Sequence, residues 1–387
     1  MDFALSEEQT AIRDLCRDFA REVVAPAAED LDLHHKFGYD IVRQMGELGL
    51  FGLPFDERYG GAGGDFLSLC IAIEEISRGD AGVGITLEAA VCLGAAPIHA
   101  FGTDDQKERW LPELLSGRKL WAFGLTEPEA GSDAGATKTR AELKDGHWVI
   151  NGAKQFITNC GTDISAGVTL TAVTGKGDGA GPEISALLVP AGASGYHVMP
   201  SYRKLGWHSS DTHPLSFESC EVPQENLLGE RGGGYRQFLY TLTGGRIAIG
   251  ALSVGLAQAC LDASLAYAKE RHAFGVPLSK HQAIQFKLAD MAMETELART
   301  MVYRAATAYQ QGAGVASDEV RMLAGMAKLF ASETSKRAAD QAVQIHGGYG
   351  FMEDYPVARY WRDAKVNEIG EGTSEVQRIL IARLLGC

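Results

Sequence analysis

The apolar residues of this 387-residue chain change period twice, and that double change limits the folds open to it. Up to residue 120 they recur at helical spacing. Ile12, Leu15, Cys16, Phe19 and Val23 lie on one stripe behind the capping box Ser6-x-x-Gln9. Met45, Leu48 and Leu50 predict a second helix, closed at Gly49 ahead of Pro54. Asp65 suits the N-cap of a helix carrying Leu69, Ile73 and Ile76, and Thr103-x-x-Gln106 opens another that Gly117 ends. Gly60, Gly61, Gly63 and Gly64 lack the helix and lysine of a phosphate loop and read as a turn.

From 121 to 230 the period shortens to two. Asp145-Gly146 and Asn151-Gly152 are turn dipeptides whose glycines supply positive φ. They predict breaks between strands at 141–143, 148–150 and 154–158. Further strands are expected at 167–173, 184–189, 196–199 and 214–218, and 175–181 reads as a loop. From 231 to the end helices return. Phe238, Leu242, Ile249, Leu256 and Cys260 trace one face, and Ile284, Leu288, Met291, Ala298 and Val302 another. With 320–345 and 375–385 they predict a four-helix bundle. The chain is thus α+β in three parts: helical at 1–120, β at 121–230, helical at 231–387. The absence of βαβ alternation argues against a Rossmann fold.

A net charge of −14 argues against a nucleic-acid or anionic-membrane surface. No apolar run in the sequence suggests the roughly 20 residues that span a bilayer. The start, Met-Asp-Phe, leads into an acidic amphipathic segment without a secretory or transit pattern, so a cytoplasmic protein is expected. The seven cysteines contain no C-x-x-C pair, which suggests neither zinc nor a disulfide framework.

Several segments carry chemistry. Glu368–Arg378 places Glu371 between Gly370 and Gly372, followed by Thr373 and Ser374 at the head of an apolar helical run. Ser374-x-x-Gln377 fits a capping box. Glu371 either complements the helix dipole or offers a carboxylate to a ligand, and the segment alone leaves both open. Phe123–Asp133 combines hydroxyls with glycine and proline, as a cofactor loop or an ordinary one does. Phe156-Ile-Thr158 ends a strand, and Arg271-His-Ala-Phe-Gly275, His281-Gln282 and Gln344-Ile-His-Gly-Gly348 follow.

Taken in this order and spacing, the segments resemble the acyl-CoA dehydrogenase family across essentially the whole chain. Thr126-Glu-Pro-x-Ala-Gly-Ser-Asp133 and Glu371-Gly-Thr-Ser-Glu-Val-Gln-Arg378 look like its hallmark motifs. The resemblance implies an N-terminal helical domain, a middle antiparallel barrel-like β-domain and a C-terminal four-helix bundle, assembled as a tetramer. FAD would lie between the β-domain and the bundle, partly held by a neighbouring subunit. Phe123, Leu125, Thr126, Gly131 and Ser132 resemble the loop along the flavin, and Phe156, Ile157 and Thr158 the segment against its ring. Arg271, Phe274, His281 and Gln282 match contacts to the pyrophosphate and nearby parts. Gln344, Ile345, Gly347 and Gly348 match adenine-side contacts across the subunit interface, and Thr373, Ser374 and Glu375 further FAD contacts. His346 is expected to have no catalytic role.

The implied substrate is an acyl-CoA thioester, met by Ser132, Thr243, Arg246, Gly370 and Gly372. Glu371 resembles the base that takes the α-proton while a hydride leaves the β-carbon for flavin N5. The thioester oxygen would be held by the Glu371 N–H and a ribityl hydroxyl. Electron-transfer flavoprotein is the implied oxidant, in fatty-acid or branched-chain amino-acid breakdown. Some relatives carry the base immediately before the arginine matching Arg246, where this chain has Gly245. Thr243 stands where an aspartate is usual and Phe156 where tryptophan is commoner. Gly370 replaces a tyrosine beside the base, which implies a short branched or otherwise bulky acyl group. The alternatives are an oxygen-reactive oxidase or monooxygenase of the same fold, or a flavin-free binding subunit.

Overall fold

The computed structural model describes residues 4–177, 181–311 and 317–387. The start of the chain at 1–3 and the 178–180 part of the expected loop lie outside the described residues. The first helical region comprises α1 (Glu7–Phe19), α2 (Ala25–His34), α3 (Tyr39–Glu47), α4 (Phe66–Gly79), α5 (Ala81–Glu88), α6 (Ala96–Phe101) and α7 (Asp104–Leu115). Both expected capping boxes form, at Ser6 and at Thr103. The Asp65 carboxylate accepts the Ser68 N–H at 2.6 Å. Leu50 is not part of α3: Gly49 turns left-handed at φ 74°, and Leu50–Gly52 forms a separate 3₁₀ turn.

Two wide π-helical turns, Ala20–Val24 and Ala89–Ala95, join α1 to α2 and α5 to α6. Each precedes a helix with proline in its first turn, Pro26 and Pro97. Proline cannot donate to the preceding turn, and the wider winding accommodates the missing bond. The stretch Ala81–Phe101 is long and apolar enough to cross a membrane, contrary to the sequence expectation, and so is Gly234–Glu270. Their apolar windows are 89% and 78% buried inside the protein, so both serve as core helices.

The middle region is one sheet. Its strands are β1 (Leu120–Gly124), β2 (Arg140–Lys144), β3 (His147–Thr158), β4 (Ser165–Lys176), β5 (Pro182–Pro190), β6 (Tyr196–Val198), β7 (Thr212–Pro223) and β8 (Leu227–Leu228). The order is β6-β7-β3-β2-β4-β5-β8, with β1 beside β4. The pairing is mixed, because β1 and the first residue of β2 run parallel to β4. Asp145-Gly146 makes the expected hairpin turn. Asn151-Gly152 does not: β3 continues through it, with a bulge against β7. A Cβ at Gly152 would stand 2.4 Å from Thr139 Oγ1, so the glycine serves close packing there. Trp148, Ile150, Ile157, Leu170, Leu187 and Phe217 fill the sheet's apolar face, each contributing roughly 1.5–3 kcal/mol by burial.

The last region holds α8 (Gly234–Glu270), the hairpin β9 (His272–Ala273) and β10 (Val276–Pro277), α9 (Gln282–Gln311), α10 (Asp318–His346), α11 (Pro356–Asn367) and α12 (Ser374–Leu384). Helices α8, α9, α10 and α12 are the predicted bundle members. Helix α11 is an addition, opened by Pro356 and packed on α10. Small residues such as Ala251, Ala257, Ala327 and Ala331 line the inner faces and let the long helices close on one another.

Candidate active site

Glu371 lies on the loop between α11 and α12 at φ 51°, a left-handed conformation uncommon for a side chain of its size, and Gly372 follows at φ 94°. Thr373 is the N-cap of α12, its Oγ1 accepting the Val376 N–H at 3.3 Å. The Ser374–Gln377 capping box does not form. The Gln377 side chain is buried and donates instead to the carbonyls of Glu371 at 3.3 Å and Gly372 at 2.9 Å. Lys328 of α10 donates to the same Gly372 carbonyl at 2.8 Å.

This turn sends the Glu371 carboxyl inward. Both of its oxygens are buried, and no N–H or hydroxyl of the described residues donates to them. Gly245 of α8 lies so close that an added Cβ would stand 2.0 Å from Glu371 Oε2. Glu88, the last residue of α5, is fully buried and meets Glu371 carboxyl to carboxyl. Two carboxyls buried together resist ionising both, and a proton between them relieves the repulsion. Burial pushes Glu371 up to about 7, with the Glu88 hydrogen bond, Arg246 and Lys328 each favouring its ionised form. Burial and the Glu371 charge drive Glu88 well above the usual range, so Glu88 holds the shared proton. Arg246 is buried beside the pair, and its Nε has no partner among the described residues.

Glu88 escaped the sequence reading, although its signal is present. It is the only charged residue between Asp80 and His99, in an otherwise apolar stretch. A lone carboxylate in a core segment needs a partner.

A second group of residues forms around the β1–β2 connection. Glu127 is buried and accepts from Lys154 Nζ at 2.7 Å, Thr137 Oγ1 at 2.6 Å and the Lys138 N–H at 2.6 Å. Against desolvation, the Lys154 ammonium and these donors hold Glu127 down at about 2. The pair anchors both ends of the Thr126–Thr137 loop, leaving Gly131 and Ser132 exposed at its tip. The Thr126 carbonyl accepts the Gln155 N–H at 2.8 Å, which joins this loop to Phe156–Thr158. Phe156 has φ 60° and is 64% exposed, its ring leaning on Tyr202 at 5.2 Å. Ile157 turns into the sheet core, so only its backbone can meet a ligand. Phe123 stacks on Phe238 at 4.0 Å, and Leu125 packs against the helical core.

The third group lines a cleft of about 590 Å³ between the α8–β9 junction and the end of α10. Arg271, Gly347, Gly348 and Tyr349 border it, with the guanidinium 5.5 Å over the Tyr349 ring. Open space surrounds Gly347 and Gly348, while Ile345 faces the core. Gln344 is exposed at the same helix end. Phe274 and Gly275 both have positive φ in the β9–β10 turn, which leaves the Phe274 ring 97% exposed. His281 bonds the Ala273 carbonyl at 3.1 Å through Nε2, and Gln282 is exposed. His346 is buried, stacked on Tyr267 at 4.2 Å, with Nδ1 2.8 Å from the Ala342 carbonyl.

Thr243 is 2% exposed, and its hydroxyl donates to the Leu239 carbonyl of its own helix at 3.2 Å. Gly370 and Gly372 flank Glu371. Glu375 is exposed in the first turn of α12, and the Ser374 hydroxyl is buried without a partner. The three groups suit an elongated cofactor and its co-substrate: an exposed aromatic ring and hydroxyls in one, exposed glycine backbone and a guanidinium in another, a buried carboxyl pair in the third.

Three acyl-CoA dehydrogenase family models match: the N-terminal domain at residues 6–118, the middle domain at 122–220 and the C-terminal domain at 232–386. The chain is 51% identical to the probable acyl-CoA dehydrogenase YngJ of Bacillus subtilis, covering 100% of both. Butyryl-CoA dehydrogenase from Megasphaera elsdenii superimposes with a TM-score of 0.94 at 42% identity, covering 100% of each chain. A chain solved in work on the electron transferring flavoprotein of Acidaminococcus fermentans gives 0.95 at 44% identity, covering 100% of this chain and 99% of that one.

Proposed function

The chain belongs to the acyl-CoA dehydrogenase family, and on that premise we propose that it desaturates a short, branched or otherwise bulky acyl-CoA between Cα and Cβ. One observation carries the assignment of the base. Glu371 is a desolvated carboxyl, raised to about 7, on a glycine-flanked turn where no N–H or hydroxyl of the described residues donates to it.

An α-proton of a thioester is weakly acidic, and a carboxylate of ordinary pKa in water is a poor base for it. Glu371 ionises near neutrality because burial has raised it, and Arg246 and Lys328 keep the ionised form accessible. Among the described residues no acceptor takes the Glu371 N–H, so it is available to a thioester oxygen as charge develops there. Phe156, Thr126 and Thr158 on the sheet side, with Arg271, Gly347 and Gly348 on the bundle side, are the residues that would hold FAD. When bound, FAD supplies the acceptor for the hydride leaving Cβ.

Gly370 supports the choice of acyl group. The atom nearest to a Cβ there, the Val366 carbonyl oxygen, would be 3.6 Å away, so no wall stands at that position. Electron-transfer flavoprotein is the proposed oxidant, in keeping with the Acidaminococcus likeness. A tetramer is proposed from the exposed apolar side chains of the helical region, among them Phe274, Phe286, Phe351 and Leu385. The same reading places the enzyme in the cytoplasm.

The test is anaerobic mixing of the FAD-loaded protein with butyryl-, isobutyryl- and palmitoyl-CoA. Flavin bleaching should be fastest with the short thioesters, the branched one included. A colourless purified protein, stoichiometric peroxide release in air, or preference for palmitoyl-CoA would each overturn a stated part of the reading.

A further inference from the structure

Lys328 sits in the middle of α10 with its side chain fully buried. Its single hydrogen bond among the described residues goes to the Gly372 carbonyl at 2.8 Å. Burying an ammonium for one neutral acceptor is unfavourable, and a methionine of similar length would fill the space at lower cost. The position therefore has a reason beyond packing. The carbonyl it holds belongs to the turn that forces Glu371 and Gly372 to positive φ. The charged groups facing it are Glu371, Glu368 and Glu375 from the α11–α12 region and Arg246 from α8. Facing Glu371 in turn are Glu88, Arg246 and Lys328.

We propose that Lys328 is the positioning residue of the base: its hydrogen bond locks the Glu371–Gly372 turn, and its charge favours the ionised Glu371 carboxylate. This rests on the reading of Glu371 as the base. Burial lowers Lys328 only to about 8, so it remains cationic at neutral pH. Gln377 donates to that Gly372 carbonyl as well and also to the Glu371 carbonyl. The turn is thus fixed by two buried side chains.

The test compares Lys328→Met, which removes donor and charge, with Lys328→Gln, which keeps a donor and removes the charge. Both are read as FAD-loaded protein, by the pH dependence of flavin bleaching and of binding of a non-reducible thioester analogue. Lys328→Met should keep FAD yet bleach roughly ten-fold more slowly at pH 7. The acid limb of its profile should move up by about half a unit or more, because a nearby cation no longer favours the carboxylate. Lys328→Gln should recover part of the rate and show the same displaced limb. A wild-type limb in Lys328→Met, whatever its rate, would overturn the proposal; if that variant does not fold, the limb of Lys328→Gln decides. Glu371→Gln separates the two claims. Wild-type bleaching by it removes the base reading and the proposal with it. An inactive Glu371→Gln with unmoved Lys328 limbs removes the proposal alone.

Discussion

Glu88 of α5 and Glu371 of the α11–α12 loop meet carboxyl to carboxyl, in a pocket where no N–H or hydroxyl of the described residues donates to either. Burial drives Glu88 well above the usual carboxylate range, so Glu88 is the member that keeps a proton to share. The pair titrates as a unit, with its first loss of a proton from the Glu371 side near 7. The bleaching rate should therefore rise with pH and reach half its maximum near that value. Glu88→Ala removes the donor and should move the limb to higher pH, whereas Glu88→Gln, whose amide still donates, should leave it nearly in place. Stopped-flow bleaching across pH distinguishes these, and an unmoved limb in Glu88→Ala contradicts the shared proton.

The same burial has a stability cost of defined sign. Glu371 is raised in the folded state, so its contribution is fully present below the ordinary carboxylate range and is lost as pH rises through about 7. Ligand-free protein should show a falling melting temperature over that interval, and Glu371→Gln should flatten the fall.

Gly245 is predicted to be irreplaceable by even the smallest side chain. A Cβ there would sit 2.0 Å from Glu371 Oε2, so the carboxyl must swing away. Displacements near 1 Å cost about 100-fold in rate. Gly245→Ala should lose about that factor in kcat/KM, with FAD absorbance retained. A variant within two-fold of wild type would show that the carboxyl has another place to go.

The Lys154–Glu127 pair should carry the stability of the sheet-side loop. Lys154→Met leaves a buried carboxylate without its cation and should cost about 3–5 kcal/mol, measured from the denaturant midpoint. Glu127 is depressed to about 2, so the pair's contribution is present above the ordinary carboxylate range and is lost as pH falls toward that value. The acid unfolding of Lys154→Met should begin at higher pH than that of wild type.

The division into α, β and α regions was legible because periods of 3.6 and 2 are local properties, as are capping boxes such as Ser6–Gln9. Where the physics is tertiary, the reading failed. Asn151-Gly152 has turn chemistry, but its glycine answers to Thr139 across the sheet. Gln377 has the spacing of a capping box, but buried carbonyls claim its amide. In the site, motif order pointed to Glu371 and to the residues expected around the cofactor. Glu88 and Lys328 belong to no motif; each is a lone charge on an apolar face, and only the fold shows what they surround. Thr243 reads as a ligand contact by position, and its hydroxyl donates within α8, which leaves it an acceptor for a ligand.

The most direct measurement is anaerobic mixing of Glu371→Gln with butyryl-CoA, at a pH above the wild-type limb, with FAD content matched. The protein should be yellow, bind the thioester and show a perturbed flavin spectrum, but not bleach on the wild-type timescale. Bleaching at the wild-type rate would contradict it and move the base elsewhere in the pocket.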